Sequence, residues 1–266
     1  MILSIKRFLF RSAPRLGLKL AKLTSRPRGI ELEIVEAVVP RDRLAIDIGA
    51  SWGLYTHLLR RCTSSVVAFE PNPEKAAYLR RLFRDPAIVV HQVALSDSSG
   101  EAELIVPLAT SAFATIETKN PLWTAANMDA ARVHVAKRSL MDFKLSQVGF
   151  MKIDVEGHEY AVLSGARELL LRDKPILYIR IERRHNPKEY ERTFELLAQM
   201  NYSGFFSDGR QLVDIRSFAI ERDQPPENVD GNRIKGRYIY NFLFLQPADI
   251  VSSLRALQRA GLQVLP

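Results

Sequence analysis

A five-residue apolar run carrying one acid, LAIDI at 44–48, breaks into Gly49-Ala50-Ser51-Trp52-Gly53, and a second apolar run, VVAF at 66–69, ends in Glu70, 21 positions after Gly49. Few folds accommodate that order. Both runs have the length of buried strands. The two glycines and the small residues between them permit a tight turn and let backbone amides approach a ligand that a Cβ would block. Residues 54–61 mix apolar and polar side chains as a helix does, with its N-terminus aimed at the same place. A carboxylate ending the second strand is positioned to accept both hydroxyl hydrogens of a ribose. Together these pieces outline a nucleotide-cofactor site; the plainer alternative is a pair of loop glycines and a surface Glu.

A dinucleotide fold wants G-x-G-x-x-G, whereas this chain spaces its glycines G-x-x-x-G with Asp47 inside the strand end. In chain order, DIGASWGLYT (47–56), FEPNP (69–73), VALSD (93–97), SAFATIE (111–117) and KIDVEGHE (152–159) resemble the FkbM family of S-adenosylmethionine-dependent methyltransferases. The resemblance runs from about Asp47 to His185, and the pairing of DIGA-x-x-G-x-Y-T with KIDVEG is its specific part. It implies a Rossmann-like class I methyltransferase fold, a mostly parallel seven-stranded sheet with an antiparallel last strand. It implies S-adenosyl-L-methionine as cofactor, with Asp47, Gly49, Ala50, Ser51 and Gly53 at the methionine part, Glu70 on the ribose and Asn72 beside it. Ala94 and Asp97 lie where the third strand meets the adenine, and Tyr55 and Thr56 begin the helix whose amides face the cofactor. Trp52 covers the cofactor or fills the turn. One departure is visible: the family commonly has Asn where this chain has Ser51, which keeps an oxygen and loses the amide donor.

The rest of the chain alternates. The pattern predicts a helix over 31–39 closed by Pro40, a helix over 74–83, a third strand over 88–93, a turn at 98–100 and an added strand over 101–106. Residues 107–132 carry no clear period and read as an insertion that covers an acceptor. A fourth core strand is expected over 149–155, one helix over 159–171, a fifth strand over 176–181 and a helix over 187–200 packing through Phe194, Leu197 and Ala198. Asp208-Gly209 marks a hairpin over 205–215; a final strand over 238–245 and a helix over 250–262 follow. Strands alternating with helices imply an α/β, doubly wound sheet whose ligands sit beyond the carboxyl ends of the strands.

The acids of KIDVEGHE fall at such an end. Asp154 and Glu156 alternate to one side, with His158 and Glu159 opening the next helix. Methyl transfer to an alcohol needs positioning and removal of a proton, and Asp154, Glu156 and His158 are the acceptors on offer. The structural alternative makes Asp154 an anchor for backbone amides and 156–159 a helix cap. IRIERRH (179–185) adds Glu182 and His185, expected across the mouth of the site. They orient acceptor hydroxyls or serve as an alternative base, or Glu182 pairs with Arg183 or Arg184. Converging carboxylates also suit Mg²⁺, but no metal is predicted.

The formal charge of +8 is local, since eight cations precede the first acid, Glu31, and the remaining 30 Lys and Arg balance 30 acids. Residues 1–29 therefore form a basic arm on a methyltransferase domain spanning 30–266. Ile5, Phe8, Leu9, Leu16, Leu20 and Leu23 share one helical face and Arg7, Arg11, Arg15 and Lys19 another. Pro14 and Gly17 weaken the pattern. An arm of this kind suits an anionic membrane surface; packing on the body, disorder and a transit peptide are the other readings. The balanced body argues against nucleic acid. No apolar stretch is long enough to span a bilayer. A single cysteine, Cys62, permits no intrachain disulfide and fits a reducing compartment; together with the basic arm this gives a cytoplasmic setting, peripheral at the inner membrane face. The expected activity is O-methylation of a hydroxyl on a glycan, a lipid-linked sugar or a natural product. A nicotinamide-dependent oxidoreductase and a non-catalytic membrane-associated binding protein are the alternatives.

Overall fold

A computed structural model describes residues 29–108, 114–118, 120–121, 129–230 and 233–264. The basic arm, and with it the amphipathic face read there, lies outside the described residues. Helix α1 (Gly29–Val38) leads into β1 (Leu44–Ile48), α2 (Leu54–Cys62), β2 (Val66–Phe69), α3 (Pro73–Leu82) and β3 (Ile88–His91). Helix α3 starts where its sequence says it should: Asn72 Oδ1 accepts from the amides of Glu74 and Lys75 at 3.0 and 3.3 Å, and Pro73 occupies the first helical position. Short β4 (Ala94–Leu95) precedes β5 (Gly100–Pro107) and β6 (Ala130–Arg138). Next come β7 (Val148–Ile153), α4 (Glu159–Gly165), α5 (Arg167–Asp173), β8 (Ile176–Arg180) and α6 (Tyr190–Gln199). The hairpin at Asp208-Gly209 forms as β9 (Ser203–Asp208) and β10 (Gln211–Asp214). One-turn helix α7 (Ile220–Asp223), the bridge strands β11 (Val229–Asp230) and β12 (Arg233–Ile234), β13 (Asn241–Leu245), α8 (Pro247–Arg259) and β14 (Gln263–Val264) complete the order.

The main sheet runs β14-β10-β9-β13-β8-β7-β1-β2-β3. Strands β3, β2, β1, β7 and β8 are parallel, and β13 is antiparallel to both β8 and β9. The expected core with its reversed late strand is therefore present, and β10 and β14 extend one edge. Both faces are covered, which is why these strands read as nearly unbroken apolar runs. Ala45, Phe150, Ile176, Tyr178 and Leu243 pack with Ile34, Leu58, Leu59 and Leu257 from α1, α2 and α8. Ile46, Met151, Leu177, Phe206 and Phe242 pack on the other face with Val162, Leu169 and Leu197 of α4, α5 and α6.

Four expectations change. The helix over 159–171 is two helices joined at Ala166, because Gly165 presses on the Ser96 backbone, where a Cβ would lie 2.1 Å from Ser96 O. Ala198 faces solvent; α6 buries Tyr190, Thr193, Leu196 and Leu197, with Phe194 half-buried among aromatic rings. The last core strand begins at Asn241 rather than 238, since the amide of Ile239 donates to Asp223 O and its carbonyl accepts from Gln224 Nε2. The strand over 101–106 does not join the main sheet: β5 pairs with β6, which also pairs with β4, in a separate three-stranded sheet. Part of the stretch read as irregular is therefore β6.

Phe242 is fully buried within 5.2 Å, centroid to centroid, of the Phe194 and Phe218 rings. Truncation to Phe242→Ala should cost about 3 to 5 kcal/mol, read from denaturant unfolding; a loss within the error of the measurement would contradict this packing.

Candidate active site

The strand order reverses between β1 and β7, so the crevice of a doubly wound sheet opens at their carboxyl ends. Those ends touch. A Cβ built on Gly49, at φ 79°, would lie 2.0 Å from Asp154 O, and the Asp154 amide donates to Ile48 O at 3.0 Å. Only glycine fits this approach. Gly53, at φ 80°, is needed for a different reason: a side chain there would meet Leu79 and Phe83 at 2.7 and 2.8 Å.

The loop between them is closed by its own hydrogen bonds, contrary to the expectation that its amides face a ligand. Gly49 N and Ala50 N both donate to Phe69 O, Gly53 N donates to Ala50 O, and Ser51 N donates to Glu70 Oε2 at 2.7 Å. Glu70 Oε1 accepts from Asn72 N at 2.9 Å. The buried Glu70 carboxylate is thus gripped by two amides, one oxygen each, and retains lone pairs for ribose hydroxyls. Asp47 is buried and accepts from Thr56 Oγ1 at 2.6 Å, tying β1 to the first turn of α2. Burial pushes its carboxyl up to about 6 against the pull of Thr56 and Lys152. Tyr55 packs beside Tyr178 and below Lys152, and burial drives its hydroxyl well above the ordinary value. Trp52 meets Tyr78 edge-on at 5.2 Å, filling the turn. Ala94 is buried in the small sheet with Leu104, Val106 and Val135, while Asp97 is exposed and accepts from Ser96 and Ser98.

The predicted acids gather on the other lip. Glu156, at φ 54°, and Gly157, at φ 103°, turn the chain after β7. Arg180 sits among the acids: Nε donates to Glu182 Oε1 at 2.6 Å, and Nη1 lies 3.4 Å from Glu156 and 3.8 Å from Asp154. Arg184 holds the other Glu182 oxygen at 2.6 Å, so the pairing with an arginine read from the sequence is real, while Arg183 pairs with Glu221. Glu182 and His185 are not across the mouth; His185 Nδ1 is 3.1 Å from Glu156 Oε2. Glu156, Glu182 and His185 are also ligand types for a divalent cation, but the Arg180 guanidinium supplies positive charge there.

Burial pushes Glu156 up to about 8 despite Arg180, and Glu159, whose carboxylate accepts from Gly157 N, up to about 7. Burial would also raise Glu182, but Arg180, His185 and Arg184 outweigh it and hold it well below the carboxylate range. Burial lowers His185 to about 3 although Glu182 opposes this, so its imidazole is neutral. Asp154 differs in exposure: 28% of its side chain is open, against 5%, 1% and 2% for Glu156, Glu182 and His185. Its Oδ1 is buried and accepts no hydrogen bond among the described residues.

His158 has both ring nitrogens engaged, Nε2 by Ser96 Oγ at 2.9 Å and Nδ1 by Glu117 at 3.3 Å. Glu117 belongs to the 107–132 insertion, as do Thr115 and Asn120, whose side chains donate to the Val155 and Glu156 carbonyls at 3.2 Å each. The described part of the insertion is fastened to the strand end that carries the acids. Ser96, Glu117, Lys152 and Arg180 are neighbours of the candidate site that the motifs alone do not single out. For the last two a signal exists in the sequence, a lone cation inside an otherwise apolar strand.

Local conformation and charge make the site testable without a ligand. Ser51 occupies the left-handed region at φ 50°, where Asn is tolerated better than Ser. Ser51→Asn should raise stability by about 0.5 to 1 kcal/mol, and an unchanged or lower melting temperature would count against it. Glu156 is held above its ordinary value, so the fold keeps a proton that the unfolded chain releases. Its stabilisation is present below about pH 4.5 and is lost as pH rises through about 8. Melting between pH 5 and 8 should therefore slope downward less in Glu156→Gln than in the parent; parallel slopes would refute the assignment.

Comparison with known proteins places the chain. The methyltransferase FkbM domain profile matches residues 46–205, well over half its length. "Methyltransferase 1" of Beauveria bassiana (strain ARSEF 2860) is 27% identical over 151 residues, 48% of this chain and 60% of that protein, so the match spans less than two thirds of that relative. Among solved structures, the methyltransferase FkbM from Methylobacillus flagellatus KT aligns over 76% of this chain and 43% of its own at 17% identity, with a TM-score of 0.48. An O-methyltransferase from Bacillus cereus, in complex with SAH, aligns over 91% and 96% at 13% identity, with a TM-score of 0.45. With the family profile running from the middle of β1 into β9, the chain belongs to the FkbM family of S-adenosylmethionine-dependent methyltransferases.

Proposed function

We propose that this protein O-methylates a hydroxyl of a glycan, a lipid-linked sugar or a natural product, with Asp154 receiving the acceptor's proton. The observation that carries this reading is Asp154 itself. Its backbone abuts Gly49 and its side chain is the most open of the clustered acids. A carboxylate so placed suits a hydroxyl held at the mouth of the cofactor crevice.

The residues fit the cofactor. Gly49 lets the ends of β1 and β7 close on each other, the 49–53 turn shapes the methionine end, and Glu70, fixed by two amides, meets the ribose. When bound, S-adenosylmethionine supplies an electrophilic methyl group on a sulfonium. The protein's own contribution is positioning and proton removal: Arg180 and Lys152 flank the Asp154 carboxylate, and the described insertion residues brace the loop that follows it. His158 is a brace in this scheme, because Ser96 and Glu117 take both its nitrogens. The G-x-x-x-G spacing and the family argue against a nicotinamide cofactor. Among the described residues no helix is long and apolar enough to cross a membrane. The acid-free run before Glu31 supports a peripheral seat at the cytoplasmic face of an anionic membrane, where lipid-linked acceptors are presented.

Calorimetry tests the site directly. Glu70→Ala should weaken S-adenosylmethionine binding by about 2 to 3 kcal/mol, as loss of a buried charge-assisted contact does; parent affinity would reject the ribose assignment. Methyl transfer to envelope glycans and lipid-linked sugars, assayed with labelled cofactor, should disappear in Asp154→Asn while cofactor binding survives. Turnover at the parent rate would remove Asp154 as the proton acceptor.

A further inference from the structure

Lys152 is a charged side chain 1% exposed in the middle of the sheet. Its neighbours in register are Asp47 on β1 and Tyr178 on β8. An ammonium there is costly unless it is compensated. Its Nζ donates to Ile153 O at 3.0 Å, lies 5.1 Å from the centre of the Tyr55 ring and 6.0 Å from that of Tyr178, and stands 3.6 Å from Asp154 Oδ2. The two tyrosine faces and the carbonyl soften the burial, but Asp154 is its nearest full countercharge.

The surroundings of Asp154 show why a second cation matters. Asp47 from β1, Tyr55 from α2, Glu156 from the same turn, Glu159 from α4, Arg180 from β8 and His185 all lie within its electrostatic reach. Three of these are carboxyls, and Arg180 is bound first to Glu182. Lys152 is the cation that faces Asp154 from within the sheet, on the oxygen opposite the one that lacks a donor.

We infer that Lys152 is a positioning residue for methyl transfer: its buried ammonium holds Asp154 through Oδ2, with Arg180 beside Oδ1, and so fixes the carboxylate at the sulfonium end of the crevice. The inference rests on the placement of Asp154 given above. It separates Lys152 from a merely structural lysine, because an anion beside the sulfonium favours cationic S-adenosylmethionine over neutral-sulfur S-adenosylhomocysteine.

The test is the affinity ratio of these two ligands, by calorimetry on the full chain at fixed pH and low salt. In Lys152→Met the ratio should fall by about tenfold, given the strength of a close charge pair in a partly buried site. Asp154→Asn should lower it comparably, and the double variant should add nothing to either single change. Lys152→Gln, which keeps a polar end, goes through the same titrations and should also lose the preference, so the result does not hang on the folding of one variant. A Lys152 variant that weakens both ligands alike, or neither, overturns the proposal. Asp154→Asn with the parent ratio would overturn the placement of Asp154 itself; a reduced ratio there beside a parent ratio in both Lys152 variants would overturn the role of Lys152 alone.

Discussion

The contact between Gly49 and the Asp154 carbonyl fixes the rest of the site. A Cβ on Gly49 would stand 2.0 Å from that oxygen, so no side chain is admitted, and the approach brings the carboxyl ends of β1 and β7 together where the sheet changes direction. The glycine turn hangs from β1 and Asp154 from β7. The hydrogen bonds from Gly49 N and Ala50 N to Phe69 O then draw in β2 and, with it, Glu70. A single backbone approach thus sets the spacing between the nucleotide end and the acidic lip, and side-chain interactions refine it.

The acidic lip is an exercise in charge compensation. Asp154, Glu156 and Glu182 crowd around Arg180, and the cost of burying them is met in different ways. Glu182 takes two guanidinium groups and stays ionised, whereas burial favours the proton on Glu156. With Glu156 protonated and His185 neutral, the remaining carboxylates are matched by the arginines and Lys152. Asp154 is the most open acid of the group.

Much of this is legible in the residues because local and global signals agree. LAIDI and VVAF are strands within the bounds their patterns set, Asn72-Pro73 caps a helix, and Asp208-Gly209 turns a hairpin. The elements that escape a sequence reading share a cause: partners distant along the chain. Ala130 to Arg132 of β6 fall in the stretch that looks irregular, because their partner β5 lies across the insertion. Gly165 leaves no room for a side chain because Ser96 lies beneath it, and the helix is interrupted at the next residue, Ala166. Glu182 and His185 are expected across the mouth because one sequence does not reveal that Arg180 gathers both lips into one cluster. Lys152 and Arg180 stand inside KIDVEGHE and IRIERRH, but that they answer the acids shows only once the strands are side by side.

Helix α1 meets the sheet through a buried polar contact. Glu31, buried and with its carboxyl raised by that burial, accepts from Asn241 Nδ2 at 2.7 Å at the start of β13, on the sheet face that also carries Lys152 and Arg180. Glu31 follows Arg28, the last of the eight cations, by three residues, so the sequence leaves little chain between the basic run and this contact. A surface gripped by the arm would be held within a short tether of the crevice, and molecules embedded in that surface would be met at a local concentration far above their bulk value. Turnover on such molecules would then be governed by diffusion within the surface, with affinity of the crevice for a free acceptor of secondary weight.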